Sequence, residues 1–198
     1  MSSFESAVVS VQQVSKKFGE FSAVSDVSFD VEPGSVVGVL GRNGAGKSTL
    51  VSMLAGLSAP TAGIVRVLGD DPRRARTRRG LGVVPQDVAL PGNLTGNEMA
   101  EFVSAHFPGG SASGRDYREV LRSWGLEGFC SKRIKSLSGG QRRRIAVGLA
   151  FVGNPSLVVL DEPTTGLDPE ARRTMWNRIR AAVEEGMTVV IKIGRAHV

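Results

Sequence analysis

The chain has 198 residues, 41% of them hydrophobic, and a formal net charge of +6, enough for one compact core with an ordinary globular composition. No apolar run approaches the roughly 18 to 20 residues of a membrane helix, and the opening "MSSFESAVVS" lacks the basic flank and apolar core of a secretory signal, so a cytoplasmic location is expected. The single cysteine, Cys130, excludes an internal disulfide and is expected to serve packing.

Along the chain the hydrophobic pattern changes character several times. "AVVSVQQV" from Ala7 and "VSDVSFDVEPG" from Val24 place apolar side chains at every second position, which predicts two half-buried antiparallel strands ending at the Pro33-Gly34 turn. "SVVGVL" (Ser35 to Leu40) is continuously apolar, as expected of a strand covered on both faces. A glycine-rich loop and a helix follow, with Leu50, Met53, Leu54 and Leu57 on its inner face. "SAPTAG" breaks that helix, and "IVRVLG" and "GLGVVPQ" predict two more strands.

From Asp87 to Ala150 the pattern is helical; Tyr117, Val120, Leu121 and Trp124 form one stripe, separated from an earlier helix by the loop "PGGSASG". Strands resume at "SLVVLDE" from Ser156. A helix capped at Asp168, with Pro169 in its first turn, points Met175, Ile179 and Val183 inward and stops at Gly186, before a last buried strand "MTVVI". This order predicts an α/β core with an N-terminal antiparallel β subdomain, interrupted by a helical insertion. Residues 1–86 and 151–191 would form the core, 87–150 the helical subdomain, and 192–198 a tail.

Much of the positive charge sits in "DPRRARTRRG" (Asp71 to Gly80) and "QRRRIA" (Gln141 to Ala146). The first run reads as a solvated face or as a contact for nucleic acid or an anionic membrane surface. No aromatic residues interleave with its arginines, so stacking on single-stranded bases has no support.

Three stretches carry chemistry. "GRNGAGKS" fits the phosphate-loop spacing: glycines bring backbone N–H groups together, a helix N-terminus stands behind them, a lysine reaches the outer phosphates, and a hydroxyl can ligate magnesium. Gly41, Arg42, Asn43, Gly44, Ala45, Gly46, Lys47, Ser48 and Thr49 are therefore candidate nucleotide-binding residues. "LVVLDE" is an apolar strand ending in Asp161, a candidate magnesium partner, and Glu162, a candidate general base. In "SLSGGQRRRIA", Ser138 can cap a helix with Ile145, Leu149 and Val152 inward, while Gly139 and Gly140 present N–H groups to an anion. The three arginines in its first turn oppose the helix dipole, so solvent or an anionic partner is expected to compensate them.

The order "GRNGAGKS", "VVPQ", "LSGGQ", "LVVLDEPTTGLD" resembles the ATP-binding subunit of ABC transporters, from about Ala7 to Ile191. The resemblance implies an α/β fold with a P-loop NTPase core, ATP and Mg2+ as cofactors, and a head-to-tail dimer. Ser138, Gly139, Gly140 and Gln141 of one subunit would complete the site built on the other's Lys47 loop, and Asp168 would lie at the seam. It assigns Lys47, Gln86 and Glu162 to catalysis, and Ser48, Gln86 and Asp161 to the metal. Phe18 falls where the family places an aromatic under adenine, with a plain core phenylalanine as the alternative. A membrane permease on a separate chain is the implied partner, so the subunit would sit peripherally on the inner face of the cell membrane.

"DEPTTGLDPEARRTMW" and "LPGNLTGNEM" look most like bacterial exporters of the drug-resistance type. An importer subunit is the rival. ABC ATPases acting on ribosomes or DNA carry paired cassettes or long coiled-coil insertions, for which the span from Lys47 to Ser138 leaves no room, so nucleic acid is not an expected partner. A regulatory nucleotide-binding module is a third alternative.

The end of the chain departs from the family pattern. After "TVVI" the family has two small hydroxyl residues and a γ-phosphate histidine, which counts to position 194, where this chain has Gly194. "IGRAHV" resembles one reading frame of a sequencing-adapter oligonucleotide. The last six or seven residues are therefore expected to be foreign to the natural sequence, with Lys192 in doubt and His197 without function. On this reading the chain is a C-terminally truncated subunit that retains nucleotide binding with crippled hydrolysis.

Overall fold

In the computed structural model, which describes residues 7–107 and 116–194, the alternating N-terminal segment forms two antiparallel strands, β1 (Val9–Phe18) and β2 (Phe21–Val31). Val9 and Val11 are buried at alternate positions, and Val14 is buried after a register shift at which Gln13 has φ of 48°. β3 (Val36–Val39) opens a separate parallel sheet, α1 (Lys47–Leu54) follows the glycine loop, and β4 (Ala62–Val67) returns to pair antiparallel with β1. The first sheet thus has the order β2-β1-β4.

A single turn, α2 (Ala75–Arg78), leads to β5 (Leu81–Val84), and the helical region follows as α3 (Gly96–Ser104), α4 (Tyr117–Ser123) and α5 (Gly139–Phe151). The chain then adds β6 (Leu157–Asp161), α6 (Pro169–Glu184) and β7 (Thr188–Lys192), completing a parallel sheet of order β3-β7-β6-β5. The expected α/β architecture is present. The loop "PGGSASG" and His197 lie outside the described residues.

β6 and β7 join two cores because successive side chains point to opposite faces. Leu157, Val159 and Val190 pack toward β1, β4 and α1, whereas Val158, Leu160, Val189 and Ile191 pack toward α5 and α6. The stripe on α4 is buried as expected, and Trp124 stacks on Phe151 of α5 with ring centroids 4.5 Å apart.

Three expectations need correction. β3 is not covered on both faces: it is an edge strand with β7 as its only sheet neighbour among the described residues, and Val36 and Leu40 are exposed. Leu57 lies beyond the end of α1, past Gly56 in the left-handed region, and is exposed; Val51 is buried in its stead. The arginines that open α5 find main-chain carbonyls, which the expectation of solvent or an anionic partner left out. Arg142 donates to Leu137 O at 2.7 Å, Arg144 donates to Gly125 O at 2.9 Å, and Arg143 is buried against four other carbonyls.

In the other basic run, two aspartates pair with three of the five arginines. Asp71 pairs with Arg73 at 2.6 Å, while Asp70 pairs with Arg74 at 3.3 Å and with Arg76. The hydrogen bond from the Arg73 guanidinium holds the Asp71 carboxyl down at about 2. This pairing favours the solvated-face reading of the run.

Candidate functional site

The phosphate loop is shaped by glycine. Gly46 caps α1 with φ of 77°, and a Cβ there would collide with the carbonyl oxygen of Ala23. Only a glycine allows the loop to lie this close to β2 and still enter the helix. Lys47 is buried, and its Nζ donates to Gly41 O at 2.7 Å and Arg42 O at 2.8 Å, spanning the loop that it would serve. Ser48 stands one residue further into α1.

Beside the loop, β6 ends in Asp161, buried, and Glu162, half-buried, whose φ of 50° is a left-handed conformation. Such backbone costs a non-glycine residue on the order of 1 kcal/mol or more. It is held by the Glu162 N–H, which donates to Lys192 O at 3.0 Å, and the Thr165 hydroxyl donates to Glu162 Oε2 at 3.3 Å.

Four oxygens from three separate parts of the chain converge on one point. Ser48 Oγ, Gln86 Oε1, Asp161 Oδ1 and Glu162 Oε1 lie 2.7, 2.9, 2.8 and 3.2 Å from the ammonium of Lys192. The Asp161 Oδ1 contact is a buried ion pair. Burial works against the charged form of Lys192, but the Asp161 and Glu162 carboxylates outweigh it and hold its pKa above the ordinary lysine value.

Hydroxyl, amide and carboxylate oxygens are hard donors of the kind Mg2+ takes. The residues present therefore fit that ion, and the chain's own ammonium stands where they meet. β7 lies between β3 and β6, so its last residue emerges between the phosphate loop and the acidic strand end. Sequence reasoning set Lys192 aside with the tail; the signal for it is its pairing with Asp161 in the parallel register. Position 194 also falls at the site, since a Cβ built at Gly194 would lie 3.1 Å from Glu162 Cδ.

A cavity of about 420 Å3 joins these parts and is lined by Asn43, Gly44, Gly46, Lys47, Ser48, Thr49, Gln86, Glu162 and Lys192. Phe21 also lines it, and sequence reasoning missed that residue. Phe18 is its cross-strand partner, 55% exposed, with Lys16 Nζ 5.1 Å from its ring centroid.

The signature segment lies elsewhere on the surface. Ser138 Oγ accepts from Gln141 N at 3.2 Å, and Gln141 Oε1 accepts from Ser138 N at 3.0 Å, a reciprocal cap that starts α5. Gly139 is exposed and Gly140 half-exposed. None of the four residues lines the phosphate-loop cavity. Asp168 Oδ1 accepts from Ala171 N at 2.8 Å and caps α6.

Residues 24–165 match the family model described as "ABC transporter". Among curated proteins, the chain is 40% identical over 188 residues to the "Nod factor export ATP-binding protein I" of Paraburkholderia xenovorans (strain LB400), covering 93% of this chain and 62% of that protein. It is 41% identical over 189 residues to the protein so named from Rhizobium etli, covering 92% and 59%. The chain thus spans about three fifths of the length of these relatives. A solved ATP-binding subunit of an ABC transporter superposes with a TM-score of 0.82 at 26% identity, covering 93% of this chain and 78% of that one. A nucleotide-free ATP-binding cassette superposes at 0.78 and 24% identity, covering 96% and 82%, a likeness of fold.

Proposed function

Since the chain belongs to the ABC transporter family, as an ATP-binding subunit of that group of ATPases, we propose that it binds ATP with Mg2+, hydrolyses it, and powers export through a separate membrane permease. The observation that carries this reading is the convergence of Ser48, Gln86, Asp161 and Glu162 beside the Lys47 loop.

On this reading the loop N–H groups and the N-terminus of α1 receive the phosphates, and Lys47 moves from its own carbonyls to the outer ones. Ser48, Asp161 and Gln86 would hold Mg2+, whose charge offsets that of the phosphates when bound. Lys192 must withdraw from that point. Glu162 accepts a proton from the attacking water, and Thr165 orients its carboxylate. Little covalent chemistry falls to the protein, so rate depends on how firmly these groups are held.

None of Ser138, Gly139, Gly140 and Gln141 lines the loop cavity of its own chain, which supports a head-to-tail dimer in which they and Asp168 act on the partner's site. The test is sedimentation velocity. Added ATP and Mg2+ should convert the chain from monomer to dimer, Glu162→Gln should prolong the dimer, and Gly140→Glu should prevent it. A chain that stays monomeric with ATP in every variant would remove the shared-site reading.

Export is supported by the printed names of the curated relatives, and the drug-resistance type belongs to the same proposal. The permease would bear on an apolar cavity of about 350 Å3 between β5, α3 and α5, lined by Val84, Val88, Leu90, Met99 and Val103. That cavity adjoins Gln86, whose side chain reaches the site, so contact there would be felt at the nucleotide. Among the described residues no helix is long and apolar enough to cross a membrane, and attachment to the inner membrane face would run through the permease.

A further inference from the structure

The three arginines of the signature helix have different surroundings, and only Arg143 is buried, at 7% exposure. Its Nη1 donates to Pro85 O at 3.0 Å and Gln86 O at 2.7 Å. Its Nη2 donates to Glu162 O at 2.7 Å and to Asp161 O. These carbonyls belong to two strand ends. β5 and β6 are parallel neighbours, so the segment leaving β5 and the acidic end of β6 lie side by side, and α5 packs across both.

Gln86, Asp161 and Glu162 each present a side-chain oxygen at the cation point and a main-chain oxygen to the guanidinium. The guanidinium therefore grips the backbone beneath three of the four converging groups without touching the cavity itself. A planar fork with donors in fixed directions can hold two strand ends at once, which a lysine ammonium cannot do with the same geometry. Burial lowers the pKa of Arg143, opposed by the carboxylates of Asp161, Glu162 and Asp87.

We propose that Arg143 is a positioning residue for ATP hydrolysis: anchored on the signature helix, it locks the backbone of Gln86 to that of Asp161 and Glu162, so that α5 and the water- and cation-handling groups form one rigid body. The proposal rests on the chain's reading as an ATPase and not on the export role. It predicts that loss of the fork leaves nucleotide binding at the Lys47 loop intact while Gln86 and Glu162 drift from each other.

The experiment compares the unaltered chain with R143Q and R143K, measuring affinity with a fluorescent ATP analogue and hydrolysis by single turnover of γ-labelled ATP with protein in excess. R143Q should keep its affinity within about twofold and lose on the order of 10²-fold in rate, the scale expected when a reacting group is displaced by about an ångström. R143K, which keeps the charge and a shorter reach, should recover part of that rate. A loss of affinity as large as the loss of rate makes Arg143 a purely structural residue, and an R143K as fast as the unaltered chain shows that charge and not the fork is at work; either overturns the positioning role. Equal rates in the unaltered chain and R143Q overturn it alone, whereas an unaltered chain that binds the analogue but shows no turnover at all, where slow residual hydrolysis is expected, overturns both that residual hydrolysis and the positioning role.

Discussion

Lys192 places a cation inside a ring of oxygens that would otherwise repel one another. Its side chain is 5% exposed and that of Asp161 is 9%, so the pair is buried, and removing one partner of a buried pair costs about 3–5 kcal/mol. Lys192→Met should therefore melt at a lower temperature than the unaltered chain in metal-free buffer. Because the freed oxygens suit Mg2+, titrating the ion should restore the variant's melting temperature while barely moving that of the unaltered chain. A variant whose midpoint ignores Mg2+ would show that these oxygens do not form a metal site. The same scale decides the adenine platform. Phe18→Ala should weaken ATP binding about tenfold, within the range for loss of one base-stacking contact, and leave tripolyphosphate binding unchanged. If Phe21→Ala does this instead, the platform is the aromatic that lines the cavity.

Among the elements, the helical region shows how caps set boundaries. α3 starts at Thr95, whose Oγ1 accepts from Glu98 N at 3.2 Å while Glu98 Oε2 accepts from Thr95 N at 2.7 Å. Thr95→Ala should lower stability by about 1 kcal/mol, read as a shift in the urea midpoint, with no change in nucleotide affinity because the cap lies outside the loop cavity. Periodicity was a good guide where one element packs on a neighbour, as on α4 and α6, since a buried face must repeat with the helix. It misled at β3. An apolar run records which side chains tolerate burial, while the segments packed on each face decide what covers them, and Val36 of the edge strand is left exposed. Local dipole reasoning failed at α5 for a related reason: the carbonyls that satisfy Arg142, Arg143 and Arg144 come from other segments.

At the scale of the whole molecule, the phosphate loop and the signature are separate surfaces, and an ATP-driven dimer is the arrangement that would bring them together. The phosphate-loop spacing, the acidic strand end, the signature cap and the mixed α/β order were legible in the sequence, because each depends on residues close together in the chain. Backbone hydrogen bonding and side-chain period act over a few positions. The shared oxygen point, the ammonium within it, the placement of Phe21 and the buried grip of Arg143 were decided by tertiary structure alone. The oxygen point, its ammonium and the grip of Arg143 join groups that meet only when parallel strands align their ends, and Phe21 reaches the cavity from the other sheet. Residue type can nominate a magnesium ligand, but the strand register that sets Lys192 opposite Asp161 determines what that ligand touches.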